Sequence, residues 1–489
     1  MDLGKLPSDL KKVYCIGIKG TGICALAELF ISSGITVSGS DTVEVFYTDS
    51  ILRELSIPFY THFDISHVPA DADLVIYSAA YSEQSNPEII QARHLGIPLL
   101  KYTDALGAYS ALFDSAGITG VHGKTSTTAI TGVLFRGIGL PARVLAGSAV
   151  AAFGGRSTLS LGDIYFAAET CEYRSHFLAF CPRRIILTSV ESDHQDCFPA
   201  YSDIRDAFVE YVLKLPSGGQ LIYCADDAGA CEVTELVMHK RSDIVIVPYG
   251  FTAAGRFRIS SYTIQEEKMT FCLFAFPKTE FILKIPGKHN ILNAAAALAL
   301  SDILVQKEFG TDGWTPKRLE NTVKELEGFT GSKRRSEILG EKAGVLFMDD
   351  YGHHPTAIQS TLRGLKEFYP RRRIIVSFMS HTYSRTAALL DDFAVSLFAA
   401  DMVFLHKIYA SARETYNNGV NGVTLFEKTR SVFNKKGRKN TVFYTDEPED
   451  AAEQLKNILQ KGDLFITMGA GDNWRLGRKL FAEFNGETI

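Results

Sequence analysis

Ala116-Gly-Ile-Thr-Gly-Val-His-Gly-Lys-Thr-Ser-Thr-Thr128 sets three evenly spaced glycines before a Lys-Thr and a run of hydroxyls. It follows an apolar lead-in and runs into Ala129-Ile-Thr-Gly-Val-Leu-Phe135, apolar at helical spacing. A loop followed by a helix start is the order that a phosphate cradle needs. Glycines let backbone N–H groups approach an anion, and the helix N-terminus adds donors and partial positive charge. In such a cradle Lys124 reaches the β/γ-phosphates and the Thr125 hydroxyl binds Mg²⁺. The glycines fall at Gly117, Gly120 and Gly123, and Ile118 stands where the G-x-x-x-x-G-K-[ST] pattern has its first glycine. A turn before a helix is the simpler reading of a bare Gly-Lys-Thr. The repeated glycines and the hydroxyl run favour a nucleoside triphosphate site at Gly120, Val121, His122, Gly123, Lys124, Thr125 and Ser126.

The chain has 489 residues, enough for about three domains. Its 46% apolar content describes a globular protein with a full core. A net charge of −5 argues against a nucleic-acid-binding surface. Met1–Leu10 shows no signal-peptide pattern, and no apolar run is long enough for a membrane span. The eight cysteines form no C-x-x-C pair, which fits reduced thiols better than a disulfide or zinc framework. The expectation is a soluble cytoplasmic protein, monomer or homodimer, with small-molecule substrates.

Ahead of the phosphate loop, residues 12–17 read as a buried strand running into Gly17-Ile-Lys-Gly20-Thr21-Gly22 and a helix over Ile23–Ile31. A short strand at Thr36–Ser38 leads to Gly39-Ser40-Asp41. Strand, glycine turn, helix, strand and acid is the dinucleotide-binding arrangement, in which the acid holds a ribose hydroxyl. The turn is Gly-x-x-Gly-x-Gly, a weak signal alone; with Asp41 it favours a nucleotide or nucleotide-sugar site. Lys19 inside it is either a diphosphate contact or a solvated side chain. Asp73–Tyr77 then delivers Ser78 at a strand's carboxyl end, and Gly96–Leu100 reads as a further strand.

Beyond the loop, Asp163–Glu169 and Arg184–Ser189 read as strands, so Glu169 and His194 both follow strand ends on the edge of the phosphate loop. A carboxylate and a neutral imidazole suit a divalent cation beside phosphate oxygens. Strands follow at 218–225 and 243–248, and alternation over about 257–285 predicts antiparallel strands. Pro286-Gly-Lys-His-Asn290-Ile-Leu-Asn293 leads to a helix over Ala294–Val305, with Asn290 and Asn293 as helix caps that also contact nucleotide or metal-bound water. After a basic, glycine-rich linker near 326–336, the strands Val345–Asp350, Arg373–Phe378, Met402–Leu405 and Asp463–Met468 each run into a polar cluster. The reading is an α/β chain of three domains: a Rossmann-like domain over 1–108, a P-loop ATPase-like domain over 109–328 and a Rossmann-like domain over 329–489.

Taken in order, Gly-Ile-Lys-Gly-Thr-Gly with Ser-Gly-Ser-Asp41, Gly-Val-His-Gly-Lys-Thr, Glu-Thr-Cys-Glu172, Glu-Ser-Asp-His194, Pro-Gly-Lys-His-Asn-Ile-Leu-Asn, Lys-Arg-Arg-Ser-Glu337, Asp-Asp-Tyr-Gly-His-His-Pro, His-Thr-Tyr-Ser-Arg-Thr and Gly-Ala-Gly-Asp resemble the Mur ligases over essentially the whole chain. The resemblance implies ATP-dependent joining of L-alanine to the lactyl carboxylate of UDP-N-acetylmuramate. It implies that Lys124 and Thr125 hold the ATP phosphates and Mg²⁺, and that Glu169 and His194 hold a second Mg²⁺. Asn290 and Asn293 would lie near the nucleotide, and Arg335 and Asp350 would reach phosphates and ribose. Tyr351, His353, His381 and Arg385 would form the amino-acid pocket. Gly17, Gly20, Thr21, Gly22, Ser40, Asp41 and Ser78 would take the UDP-sugar. Two departures stand out: Phe-Met-Ser precedes His381 where the family has Phe-Gln-Pro, and Val209 occupies the place of a lysine that several members carbamylate. The rival readings are a ligase that recycles a tripeptide onto the same nucleotide, a dinucleotide-dependent oxidoreductase, and a non-catalytic binding protein on this scaffold.

Overall fold

The computed structural model describes residues 6–195, 197–410, 414 and 419–484. Met1–Lys5, within the N-terminal stretch that shows no signal-peptide pattern, lie outside the described residues. The chain forms two compact units. The first comprises the chain through Glu191, Ser202–Arg258 and Ala294–Glu325; the second comprises Ser192–Tyr201, Ile259–Asn293 and the chain from Leu326 onward.

The first unit contains two sheets. In the N-terminal one the parallel strands run in the order Phe59–Tyr60, Thr36–Ser40, Lys12–Ile16, Leu74–Tyr77, Leu99–Lys101. Val13–Ile16 are almost fully buried, as expected for a parallel strand covered by helices on both faces. The order doubles back on either side of Lys12–Ile16, so the crevice past its carboxyl end is a topological switch point.

The second sheet is centred on Asp114–Thr119. It is flanked in parallel by Arg184–Leu187 and Tyr165–Glu169, with Thr119 opposite Leu187 and Ile118 opposite Glu169. Gln220–Cys224 and Val245–Gly250 extend one side, and Ala142–Val150 the other. An antiparallel edge strand, Arg156–Ser160, completes a hairpin that sequence reading did not find. The two sheets are tied by Arg143, which is buried. From the second sheet it donates to the Leu29 carbonyl at 2.8 Å, the Ser33 hydroxyl at 2.6 Å and the Tyr109 hydroxyl at 2.7 Å, all before the phosphate loop. Asp163 answers its charge, accepting from Nε at 2.7 Å.

The second unit opens with the expected antiparallel strands. Phe257–Gln265, which belongs to this unit from Ile259, pairs with Lys268–Leu273, and that strand pairs with Phe281–Leu283. The helix that follows, Lys288–Phe309, starts six residues earlier than expected and belongs to the first unit from Ala294 onward. Asn290 and Asn293 therefore lie inside its first turns and do not cap it. Asn290 Nδ2 donates to the Pro286 carbonyl at 2.7 Å, and Asn293 Nδ2 donates to Asn290 Oδ1 at 3.0 Å. The C-terminal sheet has the order Glu337–Lys342, Val345–Asp350, Asp463–Gly469, Arg373–Met379, Met402–Leu405, Val442–Tyr444, parallel except at its first strand. Among the described residues no helix is long and apolar enough to cross a membrane.

A buried polar knot fastens the rim of that sheet. Ser377 Oγ donates to Asn473 Oδ1 at 2.8 Å and lies 2.8 Å from His406 Nε2, while His406 Nδ1 meets the Thr445 hydroxyl at 3.0 Å. Burial drives the His406 pKa down to about 4. Between about 6.5 and about 4 the unfolded chain binds a proton that the folded chain refuses, so stability falls as pH falls through that window. The contribution is roughly 3 kcal/mol, complete above pH ~6.5. Urea titrations at pH 7 and pH 4.5 are expected to show a smaller acid loss for His406→Gln than for the wild type. Equal losses would remove His406 as the cause.

Candidate functional site

The phosphate loop occupies Gly120–Gly123, between the strand Asp114–Thr119 and the helix Lys124–Ile138. Gly120 (φ 136°) and Gly123 (φ 82°) adopt backbone conformations that side chains disfavour, which explains those two glycines. Gly117 has a different cause. It lies in the strand, where a Cβ would come within 2.2 Å of the buried Tyr211 hydroxyl. Lys124 and Thr125 begin the helix, with Thr125 buried and Ser126 half-buried beside it. The loop is fixed from the next strand end: Val121 N–H donates to the Ser189 carbonyl at 3.0 Å, His122 N–H to Ser189 Oγ at 2.9 Å, and the His122 ring meets Glu191.

Lys124 Nζ turns back to the Gly120 carbonyl and lies 3.1 and 2.9 Å from the two Glu172 oxygens. Burial alone would lower its pKa. The carboxylate of Glu172, with Cys171 and Glu169 contributing less, outweighs burial and leaves it above the usual lysine value. Lys124 is thus a fixed, permanently charged cation at a helix N-terminus, suited to an anionic ligand. Glu169 is the last residue of its strand, and its Oε2 accepts from Gly147 N–H at 2.7 Å.

On the N-terminal rim the glycine turn closes on itself. Gly17 and Ile18 donate their N–H groups to the Ser40 carbonyl at 2.8 and 3.1 Å, and Gly20 N–H donates to Gly17 at 3.0 Å. Asp41 is buried and accepts from Lys19 N–H at 2.8 Å, Thr42 N–H at 2.8 Å and the Tyr81 hydroxyl at 2.7 Å. Ser40 is fully buried, with its hydroxyl on Glu88. Thr21 receives a hydrogen bond from the Tyr47 hydroxyl at 3.1 Å, Gly22 lies against Tyr102, and Ser78 is half-buried at its strand end. Lys19 is not solvated. It is 2% exposed, pairs with Asp49 at 3.3 Å and donates to the Thr42 and Glu44 carbonyls at 2.8 Å each, so it holds the segment after Asp41 in place.

The second unit gathers the other cluster. Arg385, on the short helix Tyr383–Ala388, is buried and binds Asp193 Oδ1 through Nη2 at 2.6 Å and Nε at 3.1 Å. Its Nη1 lies 3.2 Å from His381 Nδ1. The rings of His353 and His381 are 5.8 Å apart, and Tyr351 is 5.0 Å from His353. Burial first, then the Arg385 charge, lowers both histidine pKa values, that of His381 to about 4, so both are neutral at pH 7. His194 adjoins this cluster, with φ 55° and its Nε2 3.8 Å from Asp193 Oδ2. The Arg335 guanidinium lies over the Tyr351 ring at 5.4 Å. Asp350 is occupied in shaping the loop, accepting from Ser336 N–H at 2.7 Å and Gly352 N–H at 2.6 Å.

The Met379-Ser380 departure has a clear shape. The strand runs through Met379, and Ser380 is buried with its hydroxyl 2.6 Å from Thr386 Oγ1, pinning the helix that carries Arg385. Val209 is buried on the apolar face of Tyr201–Leu213.

Three Mur ligase domain patterns match the chain: "Mur ligase family, catalytic domain" over residues 12–114, "Mur ligase middle domain" over 118–301, and "Mur ligase, glutamate ligase domain" over 334–471. The chain is 50% identical over 490 aligned positions to a UDP-N-acetylmuramate–L-alanine ligase of Treponema pallidum, covering all of both chains. The chain belongs to the Mur ligase family. Among solved structures, it resembles a UDP-N-acetylmuramate-alanine ligase of Thermotoga maritima (TM-score 0.73, 24% identity, 97% of this chain and 99% of the other). It also resembles a murein peptide ligase of Psychrobacter arcticus (TM-score 0.63, 21% identity, 98% of this chain and 100% of the other). These two likenesses concern the fold.

Two acids within the motifs of this Mur ligase have no role legible in the sequence: Glu172, which answers Lys124, and Asp193, which answers Arg385. An acid one to three residues from a candidate ligand carries no period or spacing signal, and only the folded backbone shows which cation it meets. Breaking a buried pair by removing one partner costs about 3–5 kcal/mol. Glu172→Ala is therefore expected to lower the first urea unfolding transition by about that amount. An unchanged transition would mean that solvent or the loop carbonyls compensate Lys124.

Proposed function

We propose that this Mur ligase joins L-alanine to the lactyl carboxylate of UDP-N-acetylmuramate, with ATP converted to ADP and phosphate, in the cytoplasmic synthesis of peptidoglycan precursor. The observation that carries the reading is the 50% identity to the Treponema pallidum alanine ligase over the full length of both chains. The alternative, a recycling ligase that attaches a tripeptide, has support from fold likeness only.

A carboxylate does not acylate an amine unaided. In the proposed reaction the lactyl carboxylate attacks the γ-phosphorus of ATP, forming an acyl phosphate and releasing ADP. The alanine amine, having shed a proton, then attacks the acyl carbon, and phosphate leaves from the tetrahedral intermediate. Two anions must approach, and Lys124 supplies a fixed positive charge at the phosphates. The Thr125 hydroxyl and the Glu169 carboxylate are hard oxygen donors of the kind that Mg²⁺ accepts, and in this reading His194 contributes an imidazole. Bound there, Mg²⁺ would neutralise phosphate charge and align the reacting oxygens. Arg385, within the group of Tyr351, His353 and His381, takes the alanine carboxylate as a guanidinium suits. Asn290, Asn293, Arg335 and Asp350 contribute on the nucleotide side. The glycine turn Gly17–Gly22, with Ser40, Asp41 and Ser78, takes the UDP-sugar. In this reading residues 1–108, 109–328 and 329–489 are the UDP-sugar, ATP and amino-acid domains.

Phosphate release with ATP, Mg²⁺ and UDP-N-acetylmuramate is expected to require L-alanine and to stay at background with the tripeptide. Tripeptide-dependent release would transfer the chain to the recycling branch. Lys124→Ala and His194→Ala are each expected to reduce turnover by about 10²-fold or more. Calorimetry should still detect UDP-N-acetylmuramate binding to both variants. Full turnover in either one would overturn the assignment of that residue.

A further inference from the structure

A fully buried ion pair is a costly way to hold a fold together, since apolar residues of similar volume do as well or better. Asp193 and Arg385 form such a pair, at 2.6 Å and with both side chains almost wholly shielded from water. The pair adjoins the rings of His353 and His381. It presents one cation and one anion side by side. An α-amino acid carries the complementary arrangement, a carboxylate and an ammonium separated by a single carbon.

We infer that Asp193 is the receptor for the α-ammonium group of the amino-acid substrate, and that the Arg385–Asp193 pair is the resting form of that pocket, which the zwitterion enters by taking each partner in turn. The inference rests on the reading of Arg385 as the carboxylate-binding residue. Its physical content is an exchange: one buried charge-assisted contact opens, and two form, Arg385 with the substrate carboxylate and Asp193 with the substrate ammonium. Neither protein charge is left unanswered when the site is filled or when it is not. The neutral imidazoles on either side add hydrogen-bonding capacity without a charge that would compete for Asp193. Selection follows as well, because an acid lacking the amino group would separate the pair and leave Asp193 buried and unpaired, which is unfavourable.

The test is steady-state kinetics of the full chain with Asp193→Asn, Asp193→Glu and Arg385→Lys. Asp193→Asn is expected to raise KM for L-alanine about tenfold or more, since a charge-assisted contact is lost. KM for ATP and for UDP-N-acetylmuramate should stay within about twofold, and Asp193→Glu should recover part of the loss. An unchanged alanine KM in Asp193→Asn, with a raised one in Arg385→Lys, would overturn the inference and leave the Arg385 reading standing. An unchanged alanine KM in both would overturn both. An equal rise in KM for all three substrates in Asp193→Asn would mark a purely structural role and also overturn the inference. A second measurement needs no variant: propionate, which has the carboxylate without the amine, should inhibit the wild type at least about tenfold more weakly than L-alanine binds. Propionate binding as tightly as L-alanine would overturn the inference.

Discussion

A positive charge taken out of water must be answered within hydrogen-bond reach, and the sites of this protein are organised by that requirement. Lys19 has Asp49, Lys124 has Glu172 and Arg385 has Asp193. A chain that handles a triphosphate, a nucleotide-sugar and a carboxylate needs cations held ready in partly dry clefts. A lone buried ammonium would lose its proton or pull the loop toward solvent. Each carboxylate removes that option, keeping its partner charged and still. Lys124 shows the balance most plainly, because burial works against its charge and Glu172, together with Cys171 and Glu169, more than restores it.

The second constraint is directional. Strands that run parallel place all their carboxyl ends on one edge, and the loops that follow them share that edge. Asp114–Thr119 lies between Tyr165–Glu169 and Arg184–Leu187, so the phosphate loop, Glu169 and the segment holding Ser189 and Glu191 leave one rim. The C-terminal sheet repeats the device: Asp350, Ser380 and Gly469-Ala470-Gly471 lie at or just past the ends of adjacent parallel strands. Gly117 shows the cost of a crowded centre, with a Cβ excluded by the Tyr211 hydroxyl.

Several residues that look like ligand contacts in the sequence hold loops in the folded chain. Asp41 accepts from two backbone N–H groups and a tyrosine, Asp350 accepts from two backbone N–H groups, and Lys19 spans the Thr42 and Glu44 carbonyls. A turn built around an anion has many backbone groups that cannot pair within a sheet or helix. Those groups recruit nearby polar side chains before any ligand arrives. Motif positions therefore include builders of the site as well as its contacts. Ser380 is the converse: a departure from the family pattern whose hydroxyl takes on the structural task of fastening the Arg385 helix.

The sequence alone determined the α/β class, the strand that leads into each polar cluster, the glycine loop between strand and helix at 120–123 and the family. These rest on short-range signals, apolar runs, glycines at a turn and ordered motifs, each contained within a few adjacent residues. It placed the start of the helix after Pro286 too late, because the apolar pattern begins only after a polar first turn that the fold nonetheless makes helical. It did not find the hairpin Ala142–Ser160, whose residues carry no clean alternation. The pairing of Lys124 with Glu172, of Arg385 with Asp193, and of Lys19 with Asp49 was decided by tertiary structure alone. Electrostatic partners are chosen by distance in space and by the dryness of their surroundings, and neither is encoded in separation along the chain.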